Sequence, residues 1–300
     1  MVSLDKMQAG SEAHKDLFCR SFLNAHRAYE PQDLAWPELS NEHVEMLRAL
    51  PVWSEALRDE SGAGHFLALF ADRVEDPLLR EAIALQAFEE SRHARVIRFM
   101  LEHYGVVIPS FVPKEMPADF ERGFTGLGYL ECADSFAGCG FFEVVRESGF
   151  LPDEFLAIFD RFLDEEIQHV VFFVNWLAHH QAARHRDAWP FRAATAAWGY
   201  GRAMGRLAGS RQETRPVGYV PAGAEEILAG LTVARFVAAC VRENSRRMDV
   251  VDPDLLRPRF LPSLAGVALP LLSVFDRSRQ GNGDASATKR SGAIAERPHS

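Results

Sequence analysis

The chain has 300 residues, 47% of them apolar, and a formal charge of −9. That is enough apolar side chain for a sizeable core, and the negative balance argues against non-specific nucleic-acid binding. No apolar run reaches the roughly 20 residues a membrane helix needs; Ala265 to Phe275 comes nearest, and Pro270 interrupts it. The start, Met1-Val2-Ser3-Leu4-Asp5-Lys6, lacks the apolar stretch of a signal peptide. The four cysteines (Cys19, Cys132, Cys139, Cys240) form no C-x-x-C pair. Cys132 and Cys139 fall two helical turns apart, about 10 Å, too far for a disulfide. A reducing, cytoplasmic setting is the expectation.

In chain order, the pattern predicts a helix over 11–29, broken by Pro31 and Pro37 with Trp36 in an extended connector. Ser40 reads as the N-cap of a short helix to about Ala49. Pro51, at a first turn, opens a helix over 52–75. Its inward stripe is Trp53, Leu57, Glu60, Gly64, Leu67, Phe70 and Val74, with Glu55 about 140° away and facing solvent. Gly62 and Gly64 weaken the helix by about 1 kcal/mol each relative to Ala, and they leave room for another backbone or a substrate. Asp76-Pro77 is a turn into a second long helix. There Leu79, Ile83, Gln86, Glu90, His93, Ile97, Met100 and Tyr104 advance by fours and threes, so they share one face.

Gly105 to Ala118 holds Pro109, Pro113 and Pro117 and reads as an irregular crossover. The third long helix, about 120–148, offers two competing faces. One carries Glu131 and Gly138, the other Cys132, Phe136 and Glu143. Turn geometry decides. Antiparallel helices place residues equidistant from the turn opposite each other. Glu60 and Glu90 are centred on the Asp76-Pro77 turn, and Glu131 and Glu166 on Ser148-Gly149; a Glu143–Glu166 pairing centres inside the fourth helix. The Glu131 face is therefore taken as inward. In the fourth helix Phe155, Phe159, Phe162, Glu166, His169, Phe173, Trp176 and His180 repeat the four-three stepping. Further helices follow at about 187–208 and 222–246. An apolar stretch from Arg257 to Phe275 should pack on the bundle, and a polar tail over 276–300 should be disordered.

The two Glu-x-x-His pairs, Glu90/His93 and Glu166/His169, sit mid-seam on apolar faces. A charge there costs several kcal/mol unless it is paired or metal-bound. A bare Glu-x-x-His means little: Glu296 to His299 repeats it in the tail, and a lone core pair is more often hydrogen-bonded than ligating. Two such pairs with two facing glutamates are the pattern of a di-metal site in a four-helix bundle. Carboxylates and imidazoles suit iron or manganese; zinc is disfavoured, since HExxH and clustered thiolates are absent.

Through Glu89-Glu90-Ser91-Arg92-His93 and Glu165-Glu166-Ile167-Gln168-His169, residues 52–180 resemble the ferritin-like di-metal carboxylate superfamily. That group includes the ribonucleotide reductase small subunit, bacterial multicomponent monooxygenases, acyl-carrier desaturases and arylamine N-oxygenases. The resemblance implies an all-α fold: one ferritin-like domain over 1–275, its bundle core at 52–180, with additional N- and C-terminal helices. It implies the metal ligands Glu60, Glu90, His93, Glu131, Glu166 and His169, holding two iron ions, with Mn/Fe as the alternative pair. The activity expected is that of an O2-activating oxidase or oxygenase. It would hydroxylate, N-oxygenate or desaturate a small, apolar or aromatic organic substrate. Electrons would come from a donor protein or reductant, since no flavin or ferredoxin motif is present; a homodimer is allowed. The alternatives are a ferroxidase or iron store, and a metal-free helical scaffold.

Around the site, Glu89 and Glu165 are expected to support the ligands or to face solvent. Arg92 pairs with an acid or lies at the surface, and Asp134 is open to either supporting a ligand histidine or serving as a plain helix residue. His65, His179 and His180 read as surface or supporting residues. Phe136, Phe141, Phe142, Phe172 and Phe173 are core in the simplest reading, and Gly138 and Gly140 leave room beside the metals.

Overall fold

The computed structural model describes residues 8–49, 52–108, 116–186, 188–213 and 231–274. They form helices α1 (Glu12–Ala25), α2 (Asn41–Ala49), α3 (Val52–Ala71), α4 (Pro77–His103), α5 (Phe120–Ser148), α6 (Asp153–Ala183), α7 (Trp189–Glu213) and α8 (Val233–Met248). A ninth helix, α9, spans 260–274, and a single 3-10 turn covers Pro31–Asp33. No strand occurs among the described residues. The fold is all-helical, a bundle of the four long helices α3–α6 with extra helices at both ends. Pro51 and the tail expected to be disordered lie outside the described residues, as do 222–230 of the predicted helix over 222–246.

Local chemistry sets the boundaries. Asp76 caps α4 by accepting from Leu78 N and Leu79 N, with Pro77 at the first position. Asp119 and Thr232 cap α5 and α8, and Ser40 accepts from His43 N at the start of α2. Gly149 ends α5 at φ +66°, a conformation that favours glycine. One boundary differs from the pattern: α1 ends at Ala25 rather than near residue 29. The chain turns there so that His26 and Tyr29 reach buried carboxylates. The periodicity of one helix carries no trace of such distant contacts.

The long helices pair as α3 with α4 and α5 with α6, α7 and α8 pack on α5, and α1 lies across α4 and α6. Their apolar interior is in two pieces. Trp53, Leu57, Ile97, Met100, Phe155 and Phe159 fill one end. Phe66, Leu67, Phe70, Ile83, Phe172, Phe173 and Trp176 fill the other. Along α3 and α4, Glu60 and Glu90/His93 fall between the two pieces, and with Glu166/His169 of α6 they make a polar layer inside a hydrophobic stack. All four cysteines are buried and free. The C-terminal stretch packs on the bundle by one edge only. Leu261 and Ala265 are buried and Phe260 stacks on Tyr200 at 4.6 Å, while Leu264, Val267 and Leu271 are exposed.

Two glycines are close-approach points for neighbouring helices. A Cβ on Gly64 would meet Ser91 Oγ at 2.4 Å and Ser91 N at 2.9 Å, on α4. A Cβ on Gly140 would meet Cys240 Sγ at 2.2 Å and Cys240 N at 2.9 Å, on α8. Gly140 therefore does not open space beside the polar layer; it lets α8 lie against α5. Gly140→Val should lower stability by about 1–3 kcal/mol, the usual overpacking cost, with a lower urea midpoint. An unchanged midpoint would mean that α8 is not seated on α5 in this way.

Candidate metal centre

The six predicted ligand residues come from four helices: Glu60 from α3, Glu90 and His93 from α4, Glu131 from α5, Glu166 and His169 from α6. Four of them, Glu90, His93, Glu166 and His169, offer ligand atoms that all lie within 4.8 Å of one another. His93 Nδ1 is 2.9 Å from Glu166 Oε1 and 3.5 Å from Glu60 Oε2. His169 Nδ1 is 3.0 Å from Glu90 Oε1 and 3.9 Å from Glu166 Oε1. One oxygen of Glu166 thus lies between the two imidazoles, whose ring centres are 5.5 Å apart. Glu131 is buried on the inward face of α5, and its Oε2 accepts from Gln86 Nε2 at 3.2 Å. Glu143, on the competing face, pairs with Arg242 at 3.1 Å, toward α8.

Ten buried side-chain nitrogens or oxygens lack a hydrogen-bond partner among the described residues. Six of them are Glu60 Oε2, Glu90 Oε1, His93 Nδ1, Glu131 Oε1, Glu166 Oε1 and His169 Nδ1, one from each predicted ligand. Leaving a buried polar atom unmet costs about 1–3 kcal/mol, so six in one layer call for a shared partner. A cation supplies it, and the donor set, four carboxylates with two imidazoles, fits metal.

Electrostatics agree. Burial first, then the Glu90 charge, pushes the Glu60 and Glu131 carboxyls well above their usual range. Glu90 stays ionised, at about 2: burial opposes this, but His169 outweighs it. Both histidines are driven well above the ordinary imidazole value. Burial works against the rise, and it is overcome at His93 by the carboxylates of Glu165, Glu166 and Glu60 that accept from the protonated ring, at His169 by Glu90 and Glu89. The layer draws positive charge, as protons where no metal is bound.

The residues before each pair brace the opposite one. Glu165, on α6, accepts from His93 Nε2 at 2.8 Å; Glu89, on α4, accepts from His169 Nε2 at 2.9 Å. Each outer bond fixes the tautomer and turns Nδ1 to the layer. Of the two roles open for Glu89 and Glu165, the structure gives the supporting one, since both are buried. Arg92 joins them: fully buried, it donates to Glu165 Oε1 at 2.8 Å and stands 3.6 Å from Glu89 Oε1. It also donates to Arg27 O and lies 4.1 Å over the Tyr29 ring. Asp134 is exposed on α5.

Sequence reasoning did not find His26, which donates to Glu89 at 2.6 Å, or Tyr29, which donates to Glu165 at 3.1 Å. Nothing in their local pattern marks them. Gln86 was legible as a seam residue, and the doubled Glu of both motifs was the available signal for the braces. Phe22 meets the His169 ring edge-on and Phe162 stacks on His93 at 3.9 Å.

The layer is closed on the α4/α6 side by α1 and the connector that follows it. The α3/α5 side is different. A groove of about 490 Å³ lies between α3, α5 and α7, with the buried Ala63, Phe66 and Leu130 in its floor and the exposed Arg122, Trp198 and Arg202 at its rim. None of the six ligand residues lines it, but Ala63 is one turn from Glu60, and Leu130 adjoins Glu131. A larger, shallower concavity of about 680 Å³ on the outer face of α1 holds no metal-binding cluster. Phe172 and Phe173 are core, as the simplest reading had it, and the Cβ of a residue at 138 would touch only Leu163, at 3.7 Å. Gly138 therefore leaves room at its own position, as expected, but it does not line the groove at the α3/α5 seam.

Comparison with protein-family models, with curated proteins and with solved structures finds no match for this chain. The class defined by fold and site is therefore a helical bundle with a buried Glu/His cluster that resembles a di-metal site. No helix among the described residues is long and apolar enough to cross a membrane.

Proposed function

We propose that this chain is an O2-dependent di-iron oxidase or oxygenase of the ferritin-like carboxylate type, acting on a small organic molecule. The observation that carries the reading is the set of six buried donor atoms without a hydrogen-bond partner, one from each of Glu60, Glu90, His93, Glu131, Glu166 and His169, with ligand atoms of Glu90, His93, Glu166 and His169 within 4.8 Å of one another. A donor set of oxygens with two imidazoles and no thiolate favours iron, with Mn/Fe as the alternative. A bound iron pair supplies the capacity to reduce O2 and to oxidise an organic molecule beside it. The chain does the rest. Glu89 and Glu165 hold the imidazoles in one orientation. Glu60 and Glu131 flank the side nearest open space, and the two hydrophobic clusters keep the layer dry. Electrons come from a donor protein or small reductant.

A metal-free scaffold would have to hold this layer with protons alone, shared between His93 Nδ1 and Glu166 Oε1 at 2.9 Å and between His169 Nδ1 and Glu90 Oε1 at 3.0 Å, an arrangement that gives Glu60 Oε2 and Glu131 Oε1 no partner. An iron store would have no use for a groove beside the ligands. The test is aerobic incubation of reduced, iron-loaded protein with small apolar and aromatic compounds, followed by mass spectrometry. Added oxygen in, or hydrogen lost from, an organic product is the expected result. Iron oxidation that continues for many equivalents with no organic product would overturn this reading in favour of a ferroxidase.

A further inference from the structure

We infer that the groove between α3, α5 and α7 binds an amphipathic organic anion, with its apolar body on the floor and its carboxylate at Arg122 and Arg202. The inference rests on the proposed function for calling this molecule the substrate; the binding itself stands on the groove alone.

The volume, about 490 Å³, is within the usual range of small-molecule pockets, about 300–1,000 Å³. The floor is apolar: Ala63, Phe66, Leu127 and Leu130 supply it. The rim is cationic. The guanidinium groups of Arg122 and Arg202 lie 5.6 and 4.9 Å from the ring of Trp198. Among the described residues neither has a carboxylate partner. The two carboxylates that line the groove are engaged elsewhere. Asp59 pairs with Arg58 at 3.2 Å, and Asp119 accepts from Arg122 N at 3.0 Å as the cap of α5. Asp119 is held back at the end of α5 by its cap, while the two guanidinium groups lie beside an aromatic face, and such a pair recognises a carboxylate at the end of an apolar body.

Glycine keeps the space open. A Cβ at Gly62 or Gly126 meets nothing within 4 Å, and both residues line the groove. The polarity also sets an orientation. With the anion at the exposed rim, the apolar end lies on the seam where Ala63 and Leu130 neighbour Glu60 and Glu131. In the proposed oxidase, oxidation then falls on the end remote from the carboxylate.

Isothermal titration of the full, iron-loaded chain with decanoate tests this, with decyltrimethylammonium as the cation of matching chain. Decanoate is expected to bind saturably, about tenfold or more tighter than the cation. The double substitution Arg122→Gln/Arg202→Gln should weaken it by about tenfold or more, since both contacts are charge-assisted. Gly126→Trp should fill the groove and abolish binding with the melting temperature unchanged, because that position is exposed and open. Equal binding of the cation, or decanoate binding untouched by both variants, overturns the inference. Iron is measured in the same samples. A chain that holds iron and ignores decanoate overturns the groove and leaves the metal reading; one that binds decanoate but never holds iron overturns the oxidase reading and leaves the anion site.

Discussion

Arg92→Ala is expected to cost about 3–5 kcal/mol of stability, the usual result of removing one partner from a buried ionic cluster. The guanidinium is fully buried between Glu165 and Glu89 and under Tyr29. Without it, two carboxylates stay in the interior with less positive charge to face, and Arg27 O loses a donor. Urea denaturation followed by circular dichroism would show a large fall in midpoint. Arg95→Ala is the control: the Arg95–Glu30 pair is 41% and 38% exposed, and exposed pairs contribute about 0–1 kcal/mol. Equal midpoints for the two variants would mean that the Glu89–Arg92–Glu165 bridge is not formed.

The second large effect concerns metal. Glu89→Gln and Glu165→Gln should each lower metal affinity by about 10–100-fold, the range seen when a carboxylate behind a ligating histidine is lost. The effect crosses the bundle: Glu89, on α4, is expected to loosen His169 on α6, and Glu165, on α6, to loosen His93 on α4. His93→Ala and His169→Ala remove a donor outright and should leave the lowest occupancies, with helix content nearly intact. Glu143→Gln should do little, since its partner is Arg242. Competition with a chromophoric chelator measures all five. Glu89→Gln with wild-type affinity would contradict the brace.

Much of this arrangement was legible because it repeats at helical spacing. The four-three stepping around Glu90/His93 and Glu166/His169 puts those residues inward, and the two short turns set which residues of α3 and α5 face them. Turn distance separated Glu131 from Glu143 where periodicity left two faces open; the structure buries the first and pairs the second with α8. What could not be read came from contacts between residues far apart in the chain. Arg92 meets Glu165 across 73 residues, and His26 meets Glu89 across 63. A helix pattern shows which face is apolar, but not which element will cover it. Gly140 illustrates the same limit. Its small size was visible, but whether a substrate or Cys240 would occupy the space depended on where α8 packs. The groove was missed for that reason too, since Trp198 and Arg202 of its rim belong to α7.

Anomalous scattering at the iron edge, from crystals of the iron-loaded chain, tests the central claim most directly. The account predicts two peaks inside the bundle, enclosed by Glu60, Glu90, His93, Glu131, Glu166 and His169, and absent below the edge. An empty layer in protein that has taken up iron elsewhere, with the six donor atoms still unpartnered, would contradict it.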